Sequence, residues 1–287
     1  MAMIDEVPGR REGAFSVVAD QGDLKRRIVS GVVLVGIAAA ALIFGQLSFG
    51  VLAGVISVIV AWEWSRLVRG PEIDAALVVH AAAAMAAGVL AGLDLAGLAA
   101  LVIACAAIVV SALALDRRPI LSLAGVLLVG LAAVTLVWIR SDEPHGLLAT
   151  ALVMLVAAAC DTFSFVTGKI VGGPRLWPSV SPNKTWAGLV GGIVASGAVA
   201  AAFAAYAGLP VAWLTAVGIV LGIGGQAGDL CESALKRSFK VKDASGLIPG
   251  HGGFMDRLDS LVVAALIAGL LALTYDPSRP AAVLIGA

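Results

Sequence analysis

The stretch AGLAALVIACAAIVVSALAL, which runs over residues 96–115, carries no charged side chain. A helix rises about 1.5 Å per residue, so a stretch of this length covers the roughly 30 Å hydrocarbon core of a bilayer. An uncharged segment that long predicts a transmembrane helix.

The composition of the whole chain points the same way. Hydrophobic residues make up 60% of the 287 residues, charged residues make up 13%, and the mean hydropathy is +1.02. Soluble domains carry about 25% charged residues, and a water-soluble chain of this length could not bury so much apolar surface. The composition therefore excludes a soluble globular protein and predicts the lipid bilayer as its environment. We expect no nucleic-acid partner.

Further apolar stretches predict about nine transmembrane helices. They lie near residues 28–45, 48–67, 75–92, 96–115, 120–139, 147–168, 186–207, 211–230 and 258–274. Many of them consist largely of Ala, Gly, Val and Leu, and small residues allow helices to approach closely where lipid provides no hydrophobic drive. The predicted fold class is an all-α polytopic membrane protein with tightly packed helices.

The positions of the basic residues predict the orientation of the chain. If the N-terminus lies in the cytoplasm, every Lys and Arg except Arg140 and Arg279 falls on the cytoplasmic side of the nine predicted spans. Cytoplasmic loops of membrane proteins carry such an excess of basic residues. The polar N-terminal residues contain no short apolar core followed by a cleavage site, so we expect no removable signal peptide.

Four segments follow from this pattern. They are a polar cytoplasmic N-terminal segment (1–24), the N-terminal transmembrane helices (25–140), a C-terminal transmembrane region that carries the chemistry (141–275) and a short tail (276–287). The tail is too short to span a bilayer and is expected at the surface or the membrane interface. Residues 169–185 are rich in Gly and Pro, which predicts a turn-rich cytoplasmic loop.

Two predicted helix ends carry paired carboxylates. At the end of the eighth span, Asp229 and Glu232 are three residues apart, and Lys236 follows four residues after Glu232. The ninth span opens on Asp256 and Asp259, again three residues apart. Residues three and four apart lie on one face of a helix, so each end presents a polar face at a similar membrane depth.

The segment between these ends closes with the sequence Pro-Gly-His-Gly-Gly, residues 249–253. Glycines let the chain reverse sharply and expose backbone N–H groups, which suits a phosphate. We therefore assign Gly252 and Gly253 to a phosphate-binding site, and His251 to the same site without a role. Basic residues interleaved with the acids would neutralise polyphosphate charge: Lys236, Arg237, Lys240, Lys242 and Arg257.

Carboxylates from two helices also predict a divalent metal site. Mg²⁺ prefers hard oxygen ligands and takes the rest of its shell from water and substrate phosphates. We predict Mg²⁺ on Asp229 and Asp256, and the identity of any second cation stays open. A charge run at a helix end is often only a solvated anchor, but an anchor needs no carboxylates beside a glycine-rich turn. The combination favours phosphoryl or nucleotidyl transfer.

Two further acids lie inside or at the end of apolar spans. Asp161 sits deep in the sixth span, where an ionisable group is costly unless it faces a polar cavity or a partner, so we expect it to point at the site. A helix-helix hydrogen bond that only aids packing is the alternative. Glu63, beside Trp62 and Arg66, is predicted to be an interfacial anchor.

The motif in the last third of the chain resembles a known signature. It comprises Ser233-x-Leu-Lys-Arg, four residues, Lys242-Asp243, the Pro-Gly-His-Gly-Gly turn, and Asp256-Arg257-x-Asp259. This arrangement is similar to that of the phosphatidate cytidylyltransferases, also called CDP-diglyceride synthetases. Asp161-Thr162 and the block Ser181-Pro-Asn-Lys184-Thr185 look like a second block of the same family, so the similarity covers about residues 145–262.

The resemblance implies an activity and a set of site residues. The family transfers CMP from CTP to phosphatidic acid and releases CDP-diacylglycerol and pyrophosphate. By motif, its metal-binding aspartates correspond to Asp229 and Asp256. Catalytic roles are then expected for Asp229, Asp256, Lys242 and Asp259, and substrate-binding roles for Ser181, Lys184, Lys236, Arg237, Asp243, His251, Gly252, Gly253, Arg257 and Asp161. The resemblance further implies a homodimer. Because CTP comes from water and the lipid from the bilayer, and because of the charge asymmetry, we expect the active site on the cytoplasmic side of the cell's inner membrane.

Two other functions stay open from the sequence. A CTP-dependent polyprenol or phytol kinase would also place metal carboxylates at the interface, and the choice between phosphatidate and an isoprenoid alcohol distinguishes it. A transporter would also bury Asp161, but it should show duplicated halves or broken helices at the membrane midplane. The sequence shows no duplicated halves, and its polar residues cluster at one interface.

Overall fold

The computed structural model describes the backbone of residues 21–28 and the full residues 29–247 and 252–287. Its long helices are α1 (Gln21–Phe44), α2 (Gln46–Val68), α3 (Ala75–Gly92), α4 (Ala96–Leu113), α5 (Pro119–Ser141), α6 (Gly146–Val171), α7 (Trp186–Ala207), α8 (Val211–Ser238) and α9 (Met255–Tyr275). A short α10 (Pro280–Ile285) follows them. Two strands, β1 (Arg175–Trp177) and β2 (Ser181–Thr185), lie between α6 and α7.

The predicted fold class is confirmed. Eight of the described helices, α2 to α9, are long and apolar enough to cross a membrane, and α1 contributes a shorter apolar stretch, Val29–Phe44. The helices coincide with the predicted apolar stretches and differ from them mainly at their polar ends. The count of nine spans and the cytoplasmic N-terminus stay predictions.

Glycines let neighbouring helices approach closely, as the small-residue content predicts. A Cβ atom added at Gly88 of α3 would lie 2.5 Å from the carbonyl oxygen of Gly50 in α2. One added at Gly188 of α7 would lie 2.7 Å from the carbonyl oxygen of Ser164 in α6. Real Cβ atoms do not come that close to a backbone oxygen, so the helices depend on glycine at these crossings.

Two helices are longer than the hydrocarbon core of a bilayer is thick. The 26 residues of α6 and the 28 residues of α8 give lengths of about 39 and 42 Å at 1.5 Å per residue. The hydrocarbon core is about 30 Å thick, so both helices are longer than an untilted crossing needs. The sequence prediction ended the eighth span at residue 230, but its helix continues to Ser238 and includes the polar motif.

The loop predicted at residues 169–185 is more ordered than expected. Helix α6 continues to Val171, and β1 and β2 then form an antiparallel hairpin in which Arg175 pairs with Thr185 and Trp177 with Ser181. Thr185 also caps α7, because its side-chain oxygen accepts a 3.0 Å hydrogen bond from the N–H of Gly188. The hairpin is thereby fixed to the top of α7.

The C-terminal tail was predicted to lie at the surface or the membrane interface, and this is wrong for its last turn. Residues 280–285 form α10, in which Leu284 and Ile285 are fully buried in the core. Asp142, in the loop after α5, accepts hydrogen bonds from the N–H groups of Ala281 (2.8 Å) and Ala282 (3.1 Å). The apolar side chains and the satisfied helix N-terminus explain why this segment packs inward.

Arg140, one of the two basic residues outside the predicted cytoplasmic set, is buried with its charge compensated. Its Nη1 lies 2.6 Å from the carboxylate of Glu143, and its Nε donates a 2.9 Å hydrogen bond to the carbonyl oxygen of Leu42. A buried charge is tolerated when it is paired and hydrogen-bonded in this way. Arg140 therefore joins α5 to the end of α1.

Candidate active site

A polar cavity of about 980 Å³ lies where α6, α8 and the start of α9 meet the β1–β2 hairpin. Acidic and basic side chains from all these elements line it. The predicted site residues on its walls are Asp161, Ser181, Lys184, Asp229, Lys236, Arg237, Lys242, Asp243, Asp256, Arg257 and Asp259. The fold thus brings residues of the two sequence blocks together in one space.

Only the end of the glycine-rich turn lies among the described residues. The N–H groups at and just after that end already donate hydrogen bonds within the protein. The N–H of Gly253 donates to Asp256 Oδ2 (2.9 Å), and the N–H groups of Phe254 and Met255 donate to Glu63 (3.0 and 2.7 Å). Gly252, at a φ of +84°, and Gly253 are not among the residues that line the cavity, and their role in binding phosphate stays a prediction. His251 lies outside the described residues.

A close helix crossing sets the geometry of the acids. A Cβ atom added at Gly228 of α8 would lie 2.6 Å from the backbone oxygen of Asp259 in α9. Only glycine permits this distance, and it places the next residue of α8, Asp229, beside the first turns of α9. One oxygen each of Asp229, Glu232 and Asp259 lies within 4.8 Å of the others.

This carboxylate cluster, Asp229, Glu232 and Asp259, fits a hard divalent cation. Glu232 is only 8% exposed, and the ammonium group of Lys236, 3.3 Å from its carboxylate, is shared with Asp256. Buried carboxylate oxygens are costly unless a cation or a donor compensates them, and Mg²⁺ takes such oxygens as ligands. The residues present therefore fit a metal, with Glu232 added to the predicted set. Its spacing of three from Asp229 was the signal available in the sequence.

Asp256 lies outside this cluster and is bound to a lysine. Its Oδ1 is 2.6 Å from Nζ of Lys236, and its Oδ2 accepts hydrogen bonds from the N–H groups of Gly253 (2.9 Å) and Ala244 (3.1 Å). Nζ of Lys236 is also 3.3 Å from Glu232. Asp256 thus fixes both the lysine and the loop before α9, and its predicted role as a metal ligand stays a prediction.

The hairpin contributes a second lysine. Nζ of Lys184, on β2, is 2.5 Å from Oδ2 of Asp229, and both side chains are largely shielded from solvent. Arg237 attaches the hairpin from α8, because its Nε donates a 3.2 Å hydrogen bond to the carbonyl oxygen of Val180. The block around Ser181 and Lys184 is therefore held against the acids of α8.

Asp161 points toward the site, as expected from its position in an apolar span. Its Oδ1 accepts a 2.5 Å hydrogen bond from the hydroxyl of Ser260, the residue that follows Asp259. Asp161 also lines the polar cavity. The side chain of Asp161 thus makes a hydrogen bond across helices and also faces the cavity.

Glu63 was predicted to be an interfacial anchor, and this is wrong. The residue is fully buried and accepts hydrogen bonds from three groups: the hydroxyl of Ser245 (2.5 Å) and the N–H groups of Phe254 and Met255. The first N–H groups of a helix have no partner within it, and a carboxylate also complements the positive end of the helix dipole. Glu63 of α2 therefore holds the N-terminus of α9, which carries Asp256 and Asp259.

Replacing Glu63 with Ala should destabilise the protein. The N–H groups of Phe254 and Met255 would lose their acceptor, at a cost of about 1–3 kcal/mol each. We expect a clearly lower apparent melting temperature for Glu63→Ala in detergent. The matched control is Glu72→Ala, whose exposed ion pair with Arg117 (3.4 Å) should contribute little. Equal melting temperatures for the two variants would contradict the assignment.

Comparison with known proteins adds independent information. The model of the cytidylyltransferase family matches residues 25–275. A phosphatidate cytidylyltransferase of Brucella suis biovar 1 (strain 1330) is 33% identical over 266 residues, which cover 91% of this chain and 98% of the relative. One of Bacillus subtilis (strain 168) is 42% identical over 138 residues, covering 47% and 51%. One of Staphylococcus aureus (strain COL) is 38% identical over 134 residues, covering 46% and 50%.

Proposed function

The chain belongs to the cytidylyltransferase family, and from this premise we propose that its polar cavity is the site of phosphatidate cytidylyl transfer. It is a nucleotidyltransferase of phospholipid biosynthesis that converts CTP and phosphatidic acid into CDP-diacylglycerol and pyrophosphate. The observation that supports this placement is the meeting of carboxylates and lysines where the C-terminal end of α8 meets the N-terminal end of α9. There a nucleotide from water and a phosphate from the lipid surface can both arrive.

The reaction exchanges one phosphoanhydride bond for another. A phosphate oxygen of phosphatidic acid forms a bond to the α-phosphorus of CTP, and the bond between that phosphorus and the bridging oxygen to the β-phosphate breaks. Pyrophosphate leaves with the electron pair. No strong general base is needed, because a phosphate monoester with a second pKa near about 6 is already largely ionised at neutral pH. The protein must therefore align the reactants and compensate their charge.

The carboxylate cluster supplies the proposed metal site. Asp229, Glu232 and Asp259 would hold Mg²⁺, and Asp256 is the further candidate from the sequence motif. When bound, Mg²⁺ neutralises negative charge on the polyphosphate and its leaving group. The family resemblance leaves room for a second cation as well.

Basic side chains of the cavity compensate the remaining charge. Lys236 is held between Asp256 (2.6 Å) and Glu232 (3.3 Å), so its ammonium group is already oriented when substrate arrives. Lys184 is oriented in the same way by Asp229 (2.5 Å). Lys242 and Asp243 are exposed at the cavity wall, where they can contact incoming CTP. Pre-oriented charges need little rearrangement during the reaction, which is the main source of electrostatic catalysis.

The proposal also covers the membrane in which the enzyme lies, the side on which its active site opens, and its oligomeric state. The excess of basic residues on one side favours a cytoplasmic active site in the inner membrane of the cell, where CTP is available. A homodimer is proposed on the family resemblance alone. The mass of the protein in detergent, measured by light scattering with the detergent contribution subtracted, would be about twice the 28.8 kDa of one chain.

Two labelled forms of CTP test the proposed function. Purified protein in detergent should transfer label from α-³²P CTP to dioleoyl phosphatidic acid and leave the label of γ-³²P CTP in pyrophosphate. A CTP-dependent lipid kinase would place the γ label in the lipid instead, and it would accept an isoprenoid alcohol. A transporter would leave both labels in CTP. Label from the γ position in the lipid, or no transfer at all, would contradict the proposal.

A further inference from the structure

A second cavity, which we call the apolar groove, lies between α1, α2, α5 and α9. It measures about 370 Å³, and its walls are almost entirely aliphatic and aromatic, with residues such as Leu34, Phe49, Ala53, Ala133 and Leu261. Among the described residues that line it, Arg257 is the only charged one. An apolar groove that ends at a cation has the polarity pattern of a lipid with an anionic headgroup.

Arg257 connects the two cavities. It lines the apolar groove and also the polar cavity that holds the carboxylate cluster. It stands in the first turn of α9, one residue after Asp256. A phosphate bound near Arg257 would therefore face the reacting groups on one side, and a chain attached to it could enter the groove on the other.

The dimensions of the groove match one lipid leaflet. Its wall on α2 runs from Phe49 to Val60, a rise of about 16 Å at 1.5 Å per residue. The hydrocarbon core is about 30 Å thick, so this length is about half of it. On α9 the wall begins at Phe254, at the polar end of the helix, and continues inward to Val262. The groove thus starts beside Arg257 on α9 and extends along α2 to Phe49, the fourth residue of that helix, and its length is comparable to that of an acyl chain.

We propose that the apolar groove binds one acyl chain of the phosphatidate substrate, with Arg257 at its mouth contacting the lipid phosphate. This inference rests on the proposed function and extends it to the lipid subsite. The occupant follows from the continuity of the groove with the polar cavity and from the charge of Arg257. Helix α1, which lines the groove with Leu34, Val35, Ile37 and Ala38, forms the wall toward the bilayer.

Narrowing the groove tests the proposal. Ala133→Phe fills space on the α5 wall and should lower kcat/KM at least tenfold for dioleoyl phosphatidate. For dihexanoyl phosphatidate, whose chains are too short to reach deeply, kcat/KM should change less than twofold, as should KM for CTP. The matched control is Ala104→Phe on α4, an exposed position outside the groove. An equal loss with both lipids, or no loss with either, would overturn the proposal.

A measurement on the unmodified protein avoids any effect of substitution on folding. A phosphatidate with a photoreactive diazirine in one acyl chain should label peptides from residues 49–60 or 254–262. Label confined to α3 or α4 would overturn the proposal. Because labelling needs no turnover, this result is separate from the fate of the proposed function, which fails if the wild-type protein forms no CDP-diacylglycerol.

Discussion

Asp229→Asn should lower the rate of CDP-diacylglycerol formation by about 10³-fold, which corresponds to about 4 kcal/mol in the barrier. The residue serves two parts of the site at once. It contributes to the carboxylate cluster with Glu232 and Asp259, and it pairs with Lys184 at 2.5 Å. The amide keeps the shape of the side chain but removes the charge, so the cluster loses a metal ligand and the lysine loses its partner.

The measurement for Asp229→Asn is the initial rate of α-label transfer over a range of Mg²⁺ concentrations. We expect a lower maximal rate, and we expect a higher Mg²⁺ concentration to be needed for half of that maximal rate. Asp94→Asn is the matched control, since Asp94 is exposed between α3 and α4 at a φ of +65°, a conformation that Asn also tolerates. An Asp229→Asn enzyme that keeps more than a tenth of the wild-type rate would refute the assignment.

Asp256→Asn should cost about 10²- to 10³-fold in the same rate, through the loss of charge beside Lys236. The carboxylate lies 2.6 Å from Nζ of Lys236 and accepts hydrogen bonds from the N–H groups of Gly253 and Ala244. An amide oxygen can still accept from one N–H group, but it no longer fixes the lysine. The lysine would then be free to turn away from the nucleotide.

A double variant separates two roles for Asp256. If the residue acts by orienting Lys236, Asp256→Asn combined with Lys236→Met should cost no more than the worse of the two single changes. The Mg²⁺ concentration for half-maximal rate should then stay as in the wild type. If Asp256 is a metal ligand, as the family motif predicts, that concentration should rise in the single variant. Additive losses with unchanged Mg²⁺ dependence would contradict both roles.

The sequence predicts most of the architecture because a membrane span has a local signature. Each of the long described helices coincides with an apolar stretch, and the polar ends of α8 and α9 follow from residues three and four apart on one helix face. The same local spacing contained Glu232, although the prediction favoured Asp256 as the partner of Asp229. Which acids share a cation depends on the crossing of two helices at Gly228, and the pattern within either helix does not determine it.

Contacts between distant parts of the chain could not be predicted in this way. Glu63 and Met255 are 192 residues apart, and nothing near Glu63 in the sequence distinguishes an interfacial anchor from a helix cap. The β1–β2 hairpin could not be predicted, because the Gly and Pro residues around it are also typical of irregular loops. The burial of α10 depends on Asp142, which lies 139 residues before Ala281 and accepts a hydrogen bond from the N–H group of Ala281.

The hydrogen bonds of Glu63 bear on whether the second half of the enzyme could be separated from its first helices. Among the described residues, those that line the polar cavity all lie in α6 or after it, so the second half of the chain looks like a self-sufficient unit. The carboxylate that accepts hydrogen bonds from the N–H groups at the start of α9 nevertheless comes from α2. A fragment starting at α6 would keep every reactive side chain while leaving those amides without their acceptor. The first five helices thus stabilise the half that carries the polar cavity, through Glu63 of α2, and are not a detachable membrane anchor.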